Sequence, residues 1–206
     1  MRIDYKEIEF IPLNEYCKNR NELSQVVSDF SSGDMKIDSF IKNYYAAYYN
    51  HILGLATTNL LVYREEVIGF FTSRCTSFPV DNEESKRISS EIEVPAVELS
   101  YIAVDERYQE QGIGTYVIKV LIGQAMALNK TFACRYFFLR SVPEKVAYYS
   151  DPEVLGFEQV SIDEEGLHLM KYYIPDFNDF TEFEDHLESL NGDSEADMFF
   201  KELDRE

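Results

Sequence analysis

The sequence predicts an α/β fold, in the α+β sense, on three observations. Val97-Glu98-Leu99-Ser100-Tyr101-Ile102-Ala103-Val104 is an apolar, β-branched stretch with near period-two alternation. Gln109-Glu110-Gln111-Gly112-Ile113-Gly114 then places two glycines where a strand turns into a helix. Beyond them Ile113, Val117, Val120, Leu121, Ala125 and Leu128 recur at helical spacing up to Asn129. Such a junction is where anionic phosphates bind. The N–H groups of the first helical turn point outward, and a glycine leaves the backbone open to a ligand.

The other elements follow in chain order. Ile37, Phe40, Ile41, Tyr44, Tyr45 and Tyr48 form the apolar stripe of an N-terminal helical pair, for which core packing is the plain reading. Residues 60–64, the turn Glu65-Glu66 and residues 67–75 read as a hairpin whose second strand contains Ile68-Gly69-Phe70-Phe71. Residues 132–139 read as a buried strand after the long helix. Residues 143–149 read as a short helix with Pro143 in its first turn. Gly156 suits a tight turn into a last hairpin near residues 157–162 and 168–174.

The glycine turn discriminates among phosphate-binding loops. A Walker loop ends in Gly-Lys-Ser/Thr, and none is present. A dinucleotide fingerprint needs three glycines in one turn, and residues 109–114 supply two. The pattern Gln/Arg-x-x-Gly-x-Gly/Ala fits. It resembles the pyrophosphate loop of the GCN5-related N-acetyltransferases, the GNAT superfamily. Leu155-Gly156-Phe157 is similar to that family's Tyr-x-x-x-Gly-Phe ending, although Tyr149 lies seven residues before Gly156 rather than four, with Ser150-Asp151-Pro152 as inserted material. Phe30-Ser31-Ser32-Gly33 and Ile37-Asp38-Ser39-Phe40-Ile41 resemble the opening of the toxin-like GNAT branch. The resemblance covers roughly residues 5–174. It implies a mixed, mostly antiparallel central sheet flanked by helices.

It also implies acetyl-CoA as acetyl donor to a primary amine, by direct attack in a ternary complex. Backbone amides of Gln109, Glu110, Gln111, Gly112, Ile113, Gly114 and Thr115 would bind the pyrophosphate, supported by the positive end of the helix. Arg107 and Lys119 could offset the charge of Glu110. Pantetheine would run beside Ile102, Ala103 and Val104, where a free N–H would stabilise the tetrahedral oxyanion. Glu98, six residues before Val104, matches the offset of the family's catalytic glutamate and is the candidate base. Alternation puts it on a face with Ser100 and Ile102, opposite Val97, Leu99 and Tyr101. Tyr149 is the candidate proton donor to the departing thiolate, with Tyr148 the adjacent alternative.

Composition and charge narrow the partners. The 206 residues carry a net charge of −19, and 45% hydrophobic content suits a globular chain. Cys17, Cys75 and Cys134 lack metal-ligand spacing, and His51, His168 and His186 form no recognisable cluster, so no metal is expected. No stretch approaches the length that crosses a bilayer and the charged opening is no signal peptide, so a cytoplasmic location is expected. Residues 174–206 hold twelve acids and two bases, a net of −10, which leaves −9 for the remainder. That field weighs against nucleic acid and favours cationic acceptors. Residues 1–174 are thus read as the N-acetyltransferase domain and residues 175–206 as an acidic helical extension. In the extension Phe180, Phe183, Leu187 and Leu190 recur at helical spacing, and Ser194-x-x-Asp197 opens a second apolar segment. Its stripes need cover, from the domain itself or from a second subunit in a homodimer. Acetylation of a small-molecule or protein amine leads. A non-catalytic acyl-CoA-binding or protein-interaction module and toxin-like acetylation of aminoacyl-tRNA remain as alternatives.

Overall fold

The computed structural model describes residues 3–174. A short 3₁₀ turn precedes β1 (Ile8–Pro12), and helices α1 (Leu13–Tyr16), α2 (Arg20–Val26) and α3 (Met35–Lys42) follow. Asn19 and Asp34 cap α2 and α3, each side chain accepting from two backbone N–H groups of the first turn. A π-helical turn (Tyr45–Tyr49) runs into α4 (Asn50–Ile52). Next come β2 (Thr57–Tyr63), β3 (Glu66–Pro79), α5 (Asn82–Arg87), β4 (Glu93–Val104), α6 (Ile113–Asn129) and β5 (Tyr136–Ser141). Helix α7 (Val146–Ser150) and the hairpin of β6 (Glu158–Ile162) and β7 (His168–Tyr173) complete the fold. The seven strands form one sheet in the order β1-β2-β3-β4-β5-β7-β6. Every neighbouring pair is antiparallel except β4 with β5.

Both faces of this sheet are covered. On one, Val117, Ile118, Leu121 and Ile122 of α6 pack on Leu99, Phe137 and Met170. On the other, Leu13, Leu23, Ile41 and Tyr48 from the N-terminal helices pack on Leu60, Val62, Phe70 and Ala103. Farther along that second face Phe78, Val94, Ala96, Tyr136 and Phe138 form a third cluster. Glu84 of α5 holds it down by accepting from the Tyr136 hydroxyl and from Arg135.

Several boundaries depart from the sequence reading for identifiable reasons. The hairpin turn is Arg64-Glu65, one residue earlier than read, with both residues at left-handed φ of 50° and 68°. That pair of positive φ values matches the twist of the flanking strands. Strand β5 begins at Tyr136 rather than at 132, because the end of α6 continues as a turn. Thr131 and Phe132 both donate to the Leu128 carbonyl, and the Asn129 side chain accepts from Cys134 N. Phe132 is left 65% exposed. In the N-terminal stripe Ile41 and Tyr48 are buried as expected, but Tyr45 is 65% exposed. The change of pitch in the π-helical turn moves it off the core face while Tyr44 stacks on Tyr48.

The main correction concerns β4. Its pairing with β3 slips between Thr72↔Tyr101 and Ser73↔Leu99, so Ser100 has no opposite residue. This bulge reverses the alternation. Ile102 packs on the α6 side with Val97 and Leu99, whereas Tyr101 and Ala103 face the N-terminal helices. Glu98 therefore follows Val94 and Ala96 onto the face away from α6, not the face of Ile102. No helix among the described residues is long and apolar enough to cross a membrane. Phe180, Phe183, Leu187, Leu190 and the segment from Ser194 lie outside the described residues.

The β3–β4 contact yields a stability test. A Cβ on Gly69 would lie 2.5 Å from the Ala103 carbonyl oxygen and 2.8 Å from a Leu61 methyl, so the strands must move. Gly123, in α6, has nothing within 4 Å of the same position. Gly69→Ala should cost about 1–3 kcal/mol, and Gly123→Ala should gain about 0.5–1 kcal/mol. Urea unfolding of the two variants checks both signs.

Candidate active site

The site begins where the sheet opens. Parallel pairing of β4 with β5 lasts four positions, from Ala96↔Tyr136 to Leu99↔Leu139. Beyond the Ser100 bulge β4 continues to Val104 without β5 beside it, while β5 runs on to Ser141 paired to β7. Ile102, Ala103 and Val104 thus present one backbone edge to a gap, and backbone groups there lack a strand partner. Such an edge can pair with an extended chain bearing amides, which is the chemistry of pantetheine.

At the end of that edge the turn before α6 is built as a rigid cradle. Gln109 donates from its side chain to the carbonyls of Ser32 and Val104, 2.9 Å each. Asp105 is buried and accepts from Ser31 N, from Arg107 N and from the Arg107 guanidinium. The Phe30–Gly33 turn is therefore fastened to this loop, with Ser31 also donating its hydroxyl to Glu106. From the other side the Tyr5 hydroxyl donates to the Gln111 carbonyl, and the Tyr5 ring stacks on Tyr116 at 5.0 Å. Glu110 and Gly112 both take left-handed φ, 61° and 80°. Gly112 is the N-cap of α6 and contributes no side chain, and the first helical hydrogen bond is Tyr116 N to Gly112 O. The N–H groups of Ile113, Gly114 and Thr115 are left without a capping side chain, facing any anion that approaches.

Charge near the cradle is distributed differently from the sequence expectation. Arg107 is bound to Asp105 at 2.8 Å and to Glu66 at 2.5 Å, and these carboxylates hold its guanidinium firmly charged. It is thus committed to fastening the loop and does not offset Glu110. Lys119, one turn beyond Thr115, has no partner among the described residues. Burial of its stem lowers its pKa.

The two tyrosines of α7 have different surroundings. Tyr148 shares a 2.8 Å hydrogen bond with Thr115 at the head of α6. Tyr149 packs its ring on Phe157 and Tyr148, and burial, with Tyr148 as a lesser cause, pushes its pKa up to about 12. Its hydroxyl makes no hydrogen bond to a described residue. The inserted Ser150-Asp151-Pro152 is absorbed by a turn in which the Asp151 carbonyl accepts from Val154, Leu155 and Gly156. Phe157 N still returns to the Tyr149 carbonyl. A register blurred in the sequence is closed by that bond.

Glu98 is the least expected part of the site. It is only 4% exposed, and neither carboxylate oxygen is free. Oε2 accepts from Arg74 Nε at 2.7 Å with Nη2 in ion-pair contact at the same distance, and Oε1 accepts from Arg140 Nη1 at 2.5 Å. Arg74 and Arg140 are half-exposed and stand on β3 and β5, astride β4 at the level where the gap opens. The sequence offered no signal for Arg74, Arg140 or Tyr5, since each acts across more than 20 residues of chain. Among the described residues no cluster of His, Cys, Asp or Glu could hold a metal.

The geometry has counterparts. The model of the acetyltransferase (GNAT) family matches residues 27–149. A tRNA-acetylating toxin of Mycobacterium tuberculosis is 25% identical over 125 residues, covering 60% of this chain and 74% of that protein. Among solved structures, one described as a bacterial toxin superposes with a TM-score of 0.66 at 18% identity, covering 84% of this chain and 92% of that one. A KacT variant with a tyrosine replaced by phenylalanine gives 0.63 at 21%, covering 81% and 94%. AtaT complexed with acetyl-methionyl-tRNA gives 0.62 at 15%, covering 81% and 93%. At these identities the superpositions establish the fold.

The two glycines separate folding from binding. A Cβ on Gly114 meets nothing within 4 Å, whereas one on Gly112 would lie 2.7 Å from the Tyr5 hydroxyl at a left-handed φ. Gly114→Asp should leave thermal stability nearly unchanged and weaken CoA binding at least about tenfold, because it sets a carboxylate beside the diphosphate. Gly114→Ala, which the loop pattern allows, should keep most of the affinity. Gly112→Ala should lose both stability and affinity. Calorimetry with CoA beside thermal unfolding distinguishes the two.

Proposed function

The chain belongs to the GNAT family of acetyltransferases and uses acetyl-CoA as donor to an amine, and from that premise we propose that the acceptor is the α-amino group of an aminoacyl-tRNA. The observation that carries this reading is the state of the buried carboxylates. Among the described residues only Glu98 and Asp105 are buried carboxylates, and both are ion-paired to arginine. Neither offers an oxygen to a substrate amine. An acceptor must then arrive with a substantial neutral fraction. A lysine or polyamine nitrogen, with pKa about 10.4, is neutral in about one molecule in 2,500 at pH 7, whereas an α-amine of pKa about 8 is neutral in about a tenth. The tRNA-acetylating relative and the acetyl-methionyl-tRNA complex of AtaT are consistent with such an acceptor.

In this reading the pyrophosphate binds the N–H groups of Gln109–Thr115 and pantetheine pairs with the open edge at Ile102, Ala103 and Val104. The neutral amine attacks the thioester carbonyl, forming the N–C bond. A main-chain N–H on that edge stabilises the oxyanion. Collapse breaks the C–S bond, the thiolate takes the phenolic proton of Tyr149, the amine's proton leaves to water, and water returns a proton to the phenolate. Tyr149 suits this role better than Tyr148, because its hydroxyl is uncommitted while that of Tyr148 is tied to Thr115. Glu98 is assigned no proton-transfer role.

Net charge does not decide the acceptor. The field of −19 disfavours a polyanion at long range, but over half of it comes from residues 174–206, and the opening at β4 carries two half-exposed arginine side chains. Screening at physiological salt limits the distant charges to within about 8 Å.

Tyr149→Phe should lower kcat at least about a hundredfold with CoA affinity retained. With the phenol pKa pushed up to about 12, the group stays protonated through the working range. The wild-type rate should therefore rise with pH through the amine's pKa of about 8 and lose nothing to tyrosine ionisation below about pH 11. Steady-state pH profiles measure this. Deleting residues 175–206 removes −10 charges and should lower KM for aminoacyl-tRNA at low ionic strength, with the effect fading as salt is raised. A rise in KM instead would point to a cationic acceptor.

A further inference from the structure

We propose that Arg74 and Arg140, oriented by Glu98, form a two-guanidinium receptor for a phosphodiester of the acceptor strand, with Glu98 as a positioning residue. This rests on the acceptor reading above and assigns the residues that would recognise it. Three features of the triad support it. First, the Glu98 side chain is 5% exposed while those of Arg74 and Arg140 are 49% and 45% exposed, so the anion is buried and the cationic side chains reach the surface. A structural ion pair needs one cation for one buried carboxylate. The three side chains carry a net charge of +1, with the Asp163 carboxylate as a looser fourth member 3.8 Å from Arg140 Nε.

Second, the guanidiniums have donors to spare. Arg74 spends Nε and Nη2 on Glu98, and Arg140 spends Nη1. Arg74 Nη1 and Arg140 Nη2 bond to no described residue. The nearest competitor is Asp163, in the turn between β6 and β7, whose carboxylate stands 3.8 Å from Arg140 Nε. At that length it is a loose contact at the rim. Fixed planar forks of this kind match phosphate oxygens, and anchoring them in advance removes rotamer entropy from the cost of binding.

Third, the position is that of the acceptor and not of CoA. Glu98 follows Val94 and Ala96 on the sheet face away from α6, and Arg140 follows Tyr136 and Phe138 on the same face. The cradle at Gly112 and Gly114 heads α6 on the opposite face. Arg140 is the first residue of β5 past the last position paired to β4, so it borders the gap through which the acetyl group must be reached. A terminal aminoacyl nucleotide entering from this face would bring its phosphodiester alongside the arginines while its amine enters the gap.

The test measures binding and turnover separately. A fluorescent single-stranded RNA oligonucleotide ending in CCA is titrated into the full-length protein loaded with CoA, at several salt concentrations, by anisotropy. Wild type should bind, and Arg74→Gln and Arg140→Gln should each weaken binding about tenfold with CoA affinity as the internal control. Each should reduce the salt slope by about one charge. Arg→Lys should restore the charge but only part of the affinity, because the fork is lost. Glu98→Gln gives the decisive sign. It removes a negative charge beneath the site, yet on this proposal binding weakens because the guanidiniums lose their anchor. Tighter binding of that variant, unchanged binding of both arginine variants, or no binding by wild type would overturn the proposal. Acetylation of aminoacyl-tRNA is assayed in parallel. Its failure with oligonucleotide binding intact would reject the acceptor reading while leaving the receptor standing. A fall in kcat for Glu98→Gln with oligonucleotide affinity unchanged would return Glu98 to a role in proton transfer.

Discussion

The short parallel contact between β4 and β5 is the constraint on which the rest of the molecule depends. Four paired positions hold the two halves of the sheet together, and divergence after Leu99 creates the site. A longer pairing would consume the backbone groups at Ile102, Ala103 and Val104 that are proposed to pair with pantetheine. A shorter one would separate the β5–β7–β6 arm from the rest of the sheet. The Ser100 bulge sits at the point of divergence and adds twist there, as bulges do. Packing maintains the opening, because α6 closes one face and α1 to α4 the other.

A pyrophosphate cradle must be held in a conformation that the chain would not adopt alone. Two left-handed sites, at Glu110 and Gly112 on either side of Gln111, are stabilised by groups brought from far along the sequence. Tyr5 supports the loop from below, the Phe30–Gly33 turn from the side, and Asp105 with Arg107 from within. The first turn of α6 is therefore preorganised, with its N–H groups free. Such preorganisation lets a backbone site bind diphosphate without a lysine, which suits a chain of strongly negative charge.

Electrostatics operate at two scales here. The field of the whole chain is negative and acts through solvent, where physiological salt screens it over about 8 Å. The Glu98 triad acts at contact distance in a partly desolvated setting, where a guanidinium fork retains most of its strength. A buried carboxylate holding two cations costs desolvation, and its net stabilising effect is small compared with its effect on orientation. Arranging cations from an acidic chain at one opening is chemically consistent with an anionic acceptor reached at short range.

The sequence by itself determined the fold and singled out the turn proposed to hold the donor. Period-two and helical patterns located β4 and α6, and the glycine spacing at 112 and 114 identified the cradle, because these depend on neighbours a few residues apart. Local signals also placed the turn of the β2–β3 hairpin within one residue, though not the outer ends of its strands, and most of the buried face of the N-terminal helices. Only tertiary structure decided the surroundings of Glu98. Alternation predicted its face wrongly because a bulge is a property of two strands in register, invisible in either one. Arg74 and Arg140 lie 24 and 42 residues from Glu98, and no spacing rule links them to it. The distinction between Tyr148 and Tyr149 likewise rested on which hydroxyl meets Thr115, 33 residues away from Tyr148. Local periodicity encodes where an element lies, but a side chain's chemistry is set by what folding brings within 3 Å of it.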